Sequence, residues 1–262
     1  VPDETAPAGD RSLHLPLHSF IEQIELLKRH AEVRPVGEIL SGKPGSRGPY
    51  VAITFDDAYK GAVELALPEL AKRDLPSTVF VAPGLLGARS FWWDRLAGAD
   101  GLPAELREQA LGALAGHHER IGASLATAGG TDELPPSYAC ATEDQVRALP
   151  RQGRVTIGAH TWNHPNLSRL DGDELTAELT GPLEWLRSLG DAAIPVLAYP
   201  YGLHSEAVRR GTAAAGYTAG LQVTGGWMPA ADGDPMAVPR LNIPAGLSAD
   251  AFVLRLAGWL AR

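Results

Sequence analysis

Short apolar, β-branched runs alternate with amphipathic stretches along most of this chain, and that alternation limits the fold more than any other feature. VAITF (Val51 to Phe55), STVFVA (Ser77 to Ala82), RVTIGA (Arg154 to Ala159) and PVLAY (Pro195 to Tyr199) each read as a buried strand. YTAGLQV and AVPRLNI add two more. Helical patterns fill the gaps. A first helix is expected from Ser19 to about Ala31, with Ser19 and Glu22 at capping-box spacing. Others are expected around 62–73, interrupted at Pro68; after a Thr142/Gln145 capping box; over 174–189 with Asp171 as N-cap; and over 205–215 with Gly216 behind it. Ser248 caps a last helix carrying Phe252, Leu256 and Trp259. Repeated β-then-α order makes neighbouring strands parallel. About six or seven strands predict an α/β fold, a distorted and incomplete (β/α) barrel. A chain of 262 residues, 45% hydrophobic, can bury a core of that size.

The first ten residues, VPDETAPAGD, are polar and Pro-rich, so residues 1–18 read as a flexible leader and 19–262 as one domain. From about 87 to 139 the rhythm breaks, with no clear strand. FWWDRL (Phe91 to Leu96), a helix over about 105–125 and a Gly/Thr/Pro loop mark an insertion that would form a lid or substrate wall.

Composition removes several functions. A formal net charge of -8 and no clustered Lys or Arg argue against a nucleic-acid partner. No apolar run approaches the roughly 20 residues of a transmembrane segment. The chain does not begin with Met, so the sequence leaves a cytoplasmic or secreted location open. It leaves the oligomeric state open as well. The single cysteine, Cys140, can form no internal disulfide, and its Pro/Ser/Ala surroundings suit a small structural residue better than a nucleophile.

Three segments carry the candidate chemistry. Thr54 to Tyr59, TFDDAY, sets adjacent aspartates, Asp56 and Asp57, at a strand end. In β/α folds the C-terminal strand ends build the active site. Two ionised carboxylates there need a cation or a strong donor; a solvated turn is the plain alternative. His160 and His164, four apart, follow strand RVTIGA directly. Two imidazoles so spaced can converge on one metal. Spacing alone is weak, because His14 and His18 show it too without a strand before them. Residue 161 is Thr where a zinc protease HExxH helix needs Glu. If the histidines hold a metal, the base must come from elsewhere, and the aspartate pair can supply it, one Asp completing a three-ligand site and the other taking a proton from water. The third segment, YPYG (Tyr199 to Gly202), makes a tight turn that can aim a backbone N–H at an oxyanion.

Together these segments resemble the polysaccharide deacetylase family, carbohydrate esterase family four. Its TFDDG motif is similar to Thr54-Phe55-Asp56-Asp57-Ala58, and its H-[ST]-x-x-H-P motif to His160-Thr161-Trp162-Asn163-His164-Pro165. The resemblance implies a metal-dependent N-deacetylase acting on an N-acetylated amino sugar. Asp56 would be the base, Asp57, His160 and His164 the ligands of a divalent ion, most often zinc, and the Tyr201 N–H an oxyanion donor. Three departures stand out. Ala58 replaces Gly, which a methyl tolerates unless φ is positive. The Arg of the third motif is missing, as in a family branch with a YP-x-G motif and a late Pro-Arg. Pro239-Arg240 is similar, so Arg240 is expected to orient Asp56. The late Leu-x-His motif that supplies the general acid has no counterpart, which leaves His204 as a candidate acid beside water or Asp56 itself. Trp92, Trp93 and Trp162, with Tyr199, are candidate substrate contacts, each as easily core. The rival functions are a hydrolase of a non-sugar amide, formamide or cyclic imide, and a carbohydrate-binding protein with lost catalysis. A phosphatase would leave both histidines unexplained.

Overall fold

The computed structural model describes residues 1–5, 8–42, 48–98, 101–125, 128, 131, 133–228 and 233–258. Trp259 lies outside them. Among the described residues eight strands are formed: β1 (Glu32–Val33), β2 (Tyr50–Val51), β3 (Ile53–Phe55), β4 (Ser77–Val81), β5 (Val155–Ala159), β6 (Ala193–Ala198), β7 (Ala219–Gly225) and β8 (Val238–Arg240). β1 and β2 pair with each other, and β3 to β8 form one six-stranded parallel sheet in sequence order. The run expected as one strand, VAITF, divides at Ala52: its first part serves the small sheet and its second the large one.

The large sheet curls. β3 and β8 are its two edges and share no backbone pairing among the described residues, so the barrel is incomplete. Their ends nonetheless meet through side chains, with Arg240 Nη1 3.3 Å from Thr54 Oγ1. Strand alternation explains the two cores. Val79, Val81, Leu197 and Tyr199 face the helices, in the main core. Phe80, Val196, Ala198, Leu221 and Val238 face inward and fill the concave side. Gly158 leaves room for the Phe80 ring, which a Cβ there would meet at 2.4 Å.

Helix boundaries follow local chemistry with some shifts. The first helix is Leu17–His30 and starts behind Pro16, so Ser19 caps nothing and its hydroxyl faces His18. Proline at an N-terminus needs no N–H partner, and it outcompetes the capping-box spacing. The Thr142/Gln145 box forms as expected ahead of Glu143–Ala148. A π-helical turn, Ala62–Ala66, runs into helix Leu67–Ala71, with Pro68 in its first turn.

Residues 8–18 depart from the expected flexible leader. The Asp10 N–H and the His14 ring both bond the Asp94 carboxylate, at 2.9 and 2.7 Å, and Ala245 N–H donates to Ser12 O. A polar composition reads as unstructured only until a buried carboxylate supplies the partner. The expected helix over 105–125 is two, Ala104–Leu111 and His118–Ser124. Between them Ala115 and Gly116 take positive φ, and the chain touches the loop after β5: Asn166 N–H donates to Ala115 O at 2.7 Å. A Cβ on Gly116 would lie 2.8 Å from Asn166 N, so only glycine allows that approach.

Candidate metal centre and active site

Three strand ends supply the site. Asp56 and Asp57 follow β3, His160 and His164 follow β5, and Tyr201 follows β6. Within these loops Asp57, Ala58, Thr161, His164 and Tyr201 all hold positive φ, between 49° and 67°. Such backbone costs a non-glycine residue of order 1 kcal/mol and persists where surroundings fix it. The Ala58 methyl is fully buried at φ 49°, so the substitution for Gly is a strained one. Ala141 N–H donates to the Ala58 carbonyl and Cys140 Sγ to that of Asp57. Burial, then the Asp57 charge, pushes the Cys140 thiol up to about 12, which keeps it protonated.

A second device fixes the histidine loop. Glu178, buried on helix Gly172–Arg187, accepts the N–H groups of Trp162 and Asn163 and the Asn163 amide, each at 2.8 Å. Thr161 Oγ1 accepts the His164 N–H at 3.0 Å. Gly84 passes so close that a Cβ would lie 2.8 Å from Trp162 O. Glu178 escaped the sequence reading, although a signal exists. It sits among Leu175, Leu179, Pro182 and Leu183 on the apolar face of its helix, where a carboxylate is out of place unless it has partners.

The ligand atoms converge. His164 Nε2 lies 3.0 Å from His160 Nε2 and 3.1 Å from Asp57 Oδ1, and His160 Nε2 lies 3.6 Å from the same oxygen. Bonds of about 2.1 Å to a tetrahedral ion place its ligands about 3.4 Å apart, so the triangle has the size such an ion needs. The His160 Nδ1–H donates to Ala198 O at 2.7 Å, which leaves Nε2 as a bare lone pair toward Asp57. Burial lowers the His160 pKa, against the pull of Asp56 and Asp57, and favours the neutral ligand form. Asp57 Oδ1 is buried with no hydrogen-bond donor. A buried carboxylate oxygen facing two imidazoles suits a cation. By contrast, His14 binds Asp94 and His18 binds Asp3, so the other histidine pair diverges.

Asp56 stands beside this triangle. Arg240 grips it with both prongs, Nη1 to Oδ1 at 2.8 Å and Nη2 to Oδ2 at 2.7 Å. Arg240 Nε donates to Gln222 O, and the guanidinium lies 5.7 Å above the Phe80 ring, so packing fixes the fork. Burial by itself would raise the Asp56 pKa. The charge of Arg240, aided by His160 and by the two hydrogen bonds, overrides it and holds the carboxyl at about 2.

The remaining candidates separate. Tyr201 packs edge-on against His164 at 4.6 Å, and its hydroxyl accepts Trp92 Nε1 at 2.9 Å. Trp92, Trp93 and Tyr199 are 2%, 5% and 0% exposed, which corrects their expected role as substrate contacts: no ring face is open to a sugar. Trp93 instead braces His164 at a ring distance of 5.0 Å and donates to the Tyr59 hydroxyl, which donates in turn to Asp94. Trp162 is 36% exposed and keeps an open face. His204, the candidate general acid, stands apart from the other candidates. Its Nε2 meets Gln222 Oε1 and its ring lies 4.8 Å from Tyr199. Among the described residues, no bond or ring contact joins it to Asp56 or the three ligands.

Residues 43–220 match the polysaccharide deacetylase family. The chain belongs to that family. It is 21% identical over 202 residues to YxkH of Bacillus subtilis (strain 168), a protein named for the same family, covering 77% of this chain. The chain spans 54% of that relative's length. Among solved structures, the fold is similar to the deacetylase PplD of Streptococcus pyogenes in complex with acetate, with a TM-score of 0.67 and 21% identity over 98% of this chain and 92% of that one. It is also similar to the polysaccharide deacetylase BC0361 of Bacillus cereus, with a TM-score of 0.66 and 16% identity over 97% and 66%. Both likenesses support the incomplete barrel. Among the described residues, no helix is long and apolar enough to cross a membrane.

Proposed function

We propose that the chain is a metal-dependent hydrolase that removes N-acetyl groups from an N-acetylated amino sugar, free or within a polysaccharide, oligosaccharide or glycoconjugate. The observation that carries this reading is the triangle of converging ligand-capable atoms on Asp57, His160 and His164 beside the arginine-held Asp56. A divalent ion held there, zinc by the donor set, would polarise the acetamide carbonyl and acidify the attacking water.

The chain's own groups do the rest. Asp56 accepts the proton of the attacking water, and Arg240 keeps both carboxylate oxygens ionised and aimed. A carboxylate held at about 2 is a weak base, but once protonated it is a strong acid. It can therefore return that proton to the departing amine, a role that needs no further histidine. The Tyr201 N–H, in a turn held at φ 59°, is the group that would donate to the oxyanion. Trp162 offers a partly open aromatic face beside the ligand loop, suited to the C–H face of a sugar.

The test is a panel of N-acetylglucosamine oligomers and small amides with divalent metal supplied. Acetate release from the oligomers is the expected result. Hydrolysis confined to formamides or cyclic imides would move the substrate class, and binding without any hydrolysis would favour a carbohydrate-binding protein.

A further inference from the structure

A second cleft lies alongside the catalytic loops. It has a volume of about 550 Å³, inside the range of small-ligand sites. One wall is helix Ala104–Leu111 of the insertion, which contributes Arg107 and Glu108. The other is the continuation of the histidine loop, with Asn166, Ser168 and Arg169. Leu203, 37% exposed, closes the end nearest the Tyr201 turn. The cleft is thus two residues from the metal ligand His164 on one side and two from Tyr201 on the other. It is also a built feature. Asn166 is buried, its side-chain amide donates to Leu111 O at 2.8 Å and its N–H to Ala115 O, so both walls are tied together.

Its charge is unusual for this protein. The chain carries a net charge of -8, yet two guanidinium groups from separate elements line one cleft. Among the described residues neither Arg107 nor Arg169 has an ion-pair partner, and Glu108, which also lines the cleft, bonds to neither. A guanidinium presents a planar fork that fits carboxylate or phosphate oxygens, and two of them lining one cleft favour an anion over a neutral hydroxyl.

We propose that this cleft is a substrate subsite for an anionic group, a carboxylate or phosphate carried on a sugar next to the one being deacetylated. The inference rests on the deacetylase reading of the neighbouring site and narrows its substrate to acidic glycans.

The test separates binding from turnover. An oligouronate and a phosphorylated oligosaccharide, both free of N-acetyl groups, are titrated into the protein by calorimetry, with a neutral oligosaccharide alongside. The two acidic probes distinguish carboxylate from phosphate. Arg107→Gln and Arg169→Gln should each weaken the acidic probe about tenfold, and the control Arg187→Gln, on a helix outside the cleft, should not. In turnover, the double variant should raise KM for an acidic N-acetylated oligomer about a hundredfold at nearly constant kcat, with little change for a neutral one. Equal affinity for neutral and acidic probes, or acidic binding unchanged in the double variant, would overturn the subsite. Arginine-dependent binding with no acetate released from any oligomer would overturn the deacetylase reading while the subsite stands.

Discussion

Replacing Arg240 by Met removes the fork that holds Asp56 while keeping most of the packing on Phe80. The size of the effect follows from the carboxyl's surroundings. Its pKa falls from an ordinary 3.8 to about 2 because Arg240 and the histidines outweigh burial. At about 1.36 kcal/mol per pH unit that fall corresponds to about 2 kcal/mol. A depressed carboxyl pKa stabilises the fold above the unfolded value and loses that contribution as pH drops through the folded one. The native protein should therefore lose about 2 kcal/mol between pH 4 and pH 2 from this group. In Arg240→Met, burial acts on Asp56 without its chief opponent, so the pKa rises and this acid-linked loss disappears. Activity should fall about a hundredfold or more, since Asp56 loses its aim and stays protonated to higher pH. The acid limb of the kcat/KM profile should move upward by at least two pH units. Arg240→Lys keeps the charge but loses the two-pronged geometry, so it should restore the limb more than the rate. Urea unfolding at pH 7 and pH 2, with pH profiles for all three proteins, measures each part. An Arg240→Met protein with the native acid limb and near-native kcat/KM would refute the reasoning.

Three further substitutions probe separate links. Glu178→Ala should weaken metal binding ten- to a hundredfold and cost about 3 kcal/mol, because the Trp162 and Asn163 N–H groups lose their buried acceptor; metal titration and urea unfolding check both. Ala58→Gly should be nearly neutral, within about 1 kcal/mol, because relief of the left-handed strain offsets the lost buried methyl and the greater freedom of the unfolded chain; a thermal shift above about 2 kcal/mol in either direction would contradict it. His204→Ala should keep the basic limb of the pH–rate profile, since His204 is turned to Gln222; loss of that limb would return it to the proton pathway.

Much of the fold could be read from residues in order. Strands β4 to β7 lie where apolar β-branched runs place them, and the caps Thr142 and Ser248 bond as expected, whereas Asp171 holds the N-cap position of its helix without a side-chain cap bond. The convergence of Asp57, His160 and His164 was legible because they follow strand ends, and parallel pairing brings those ends together. What hid was long-range. Nothing local in VPDETAPAGD announces that Asp10 and His14 will meet Asp94, 84 and 80 residues away. The tryptophans of FWWDRL look like sugar platforms until the helix rolls them inward against Tyr59 and Tyr201. Positive φ at Asp57, Thr161, His164 and Tyr201 has no sequence signature, because these residues carry side chains and owe their backbone to the tertiary contacts around them.

The central claim is that Asp57, His160 and His164 form a metal centre that hydrolysis requires. Calorimetric titration of chelator-treated protein with Zn²⁺, coupled to acetate release from an N-acetylglucosamine oligomer, tests it most directly. The expected result is one ion per chain, activity that returns in step with that ion, and loss of both in His160→Ala and His164→Ala. Full turnover by the chelated protein, or stoichiometric binding that survives both substitutions, would contradict it.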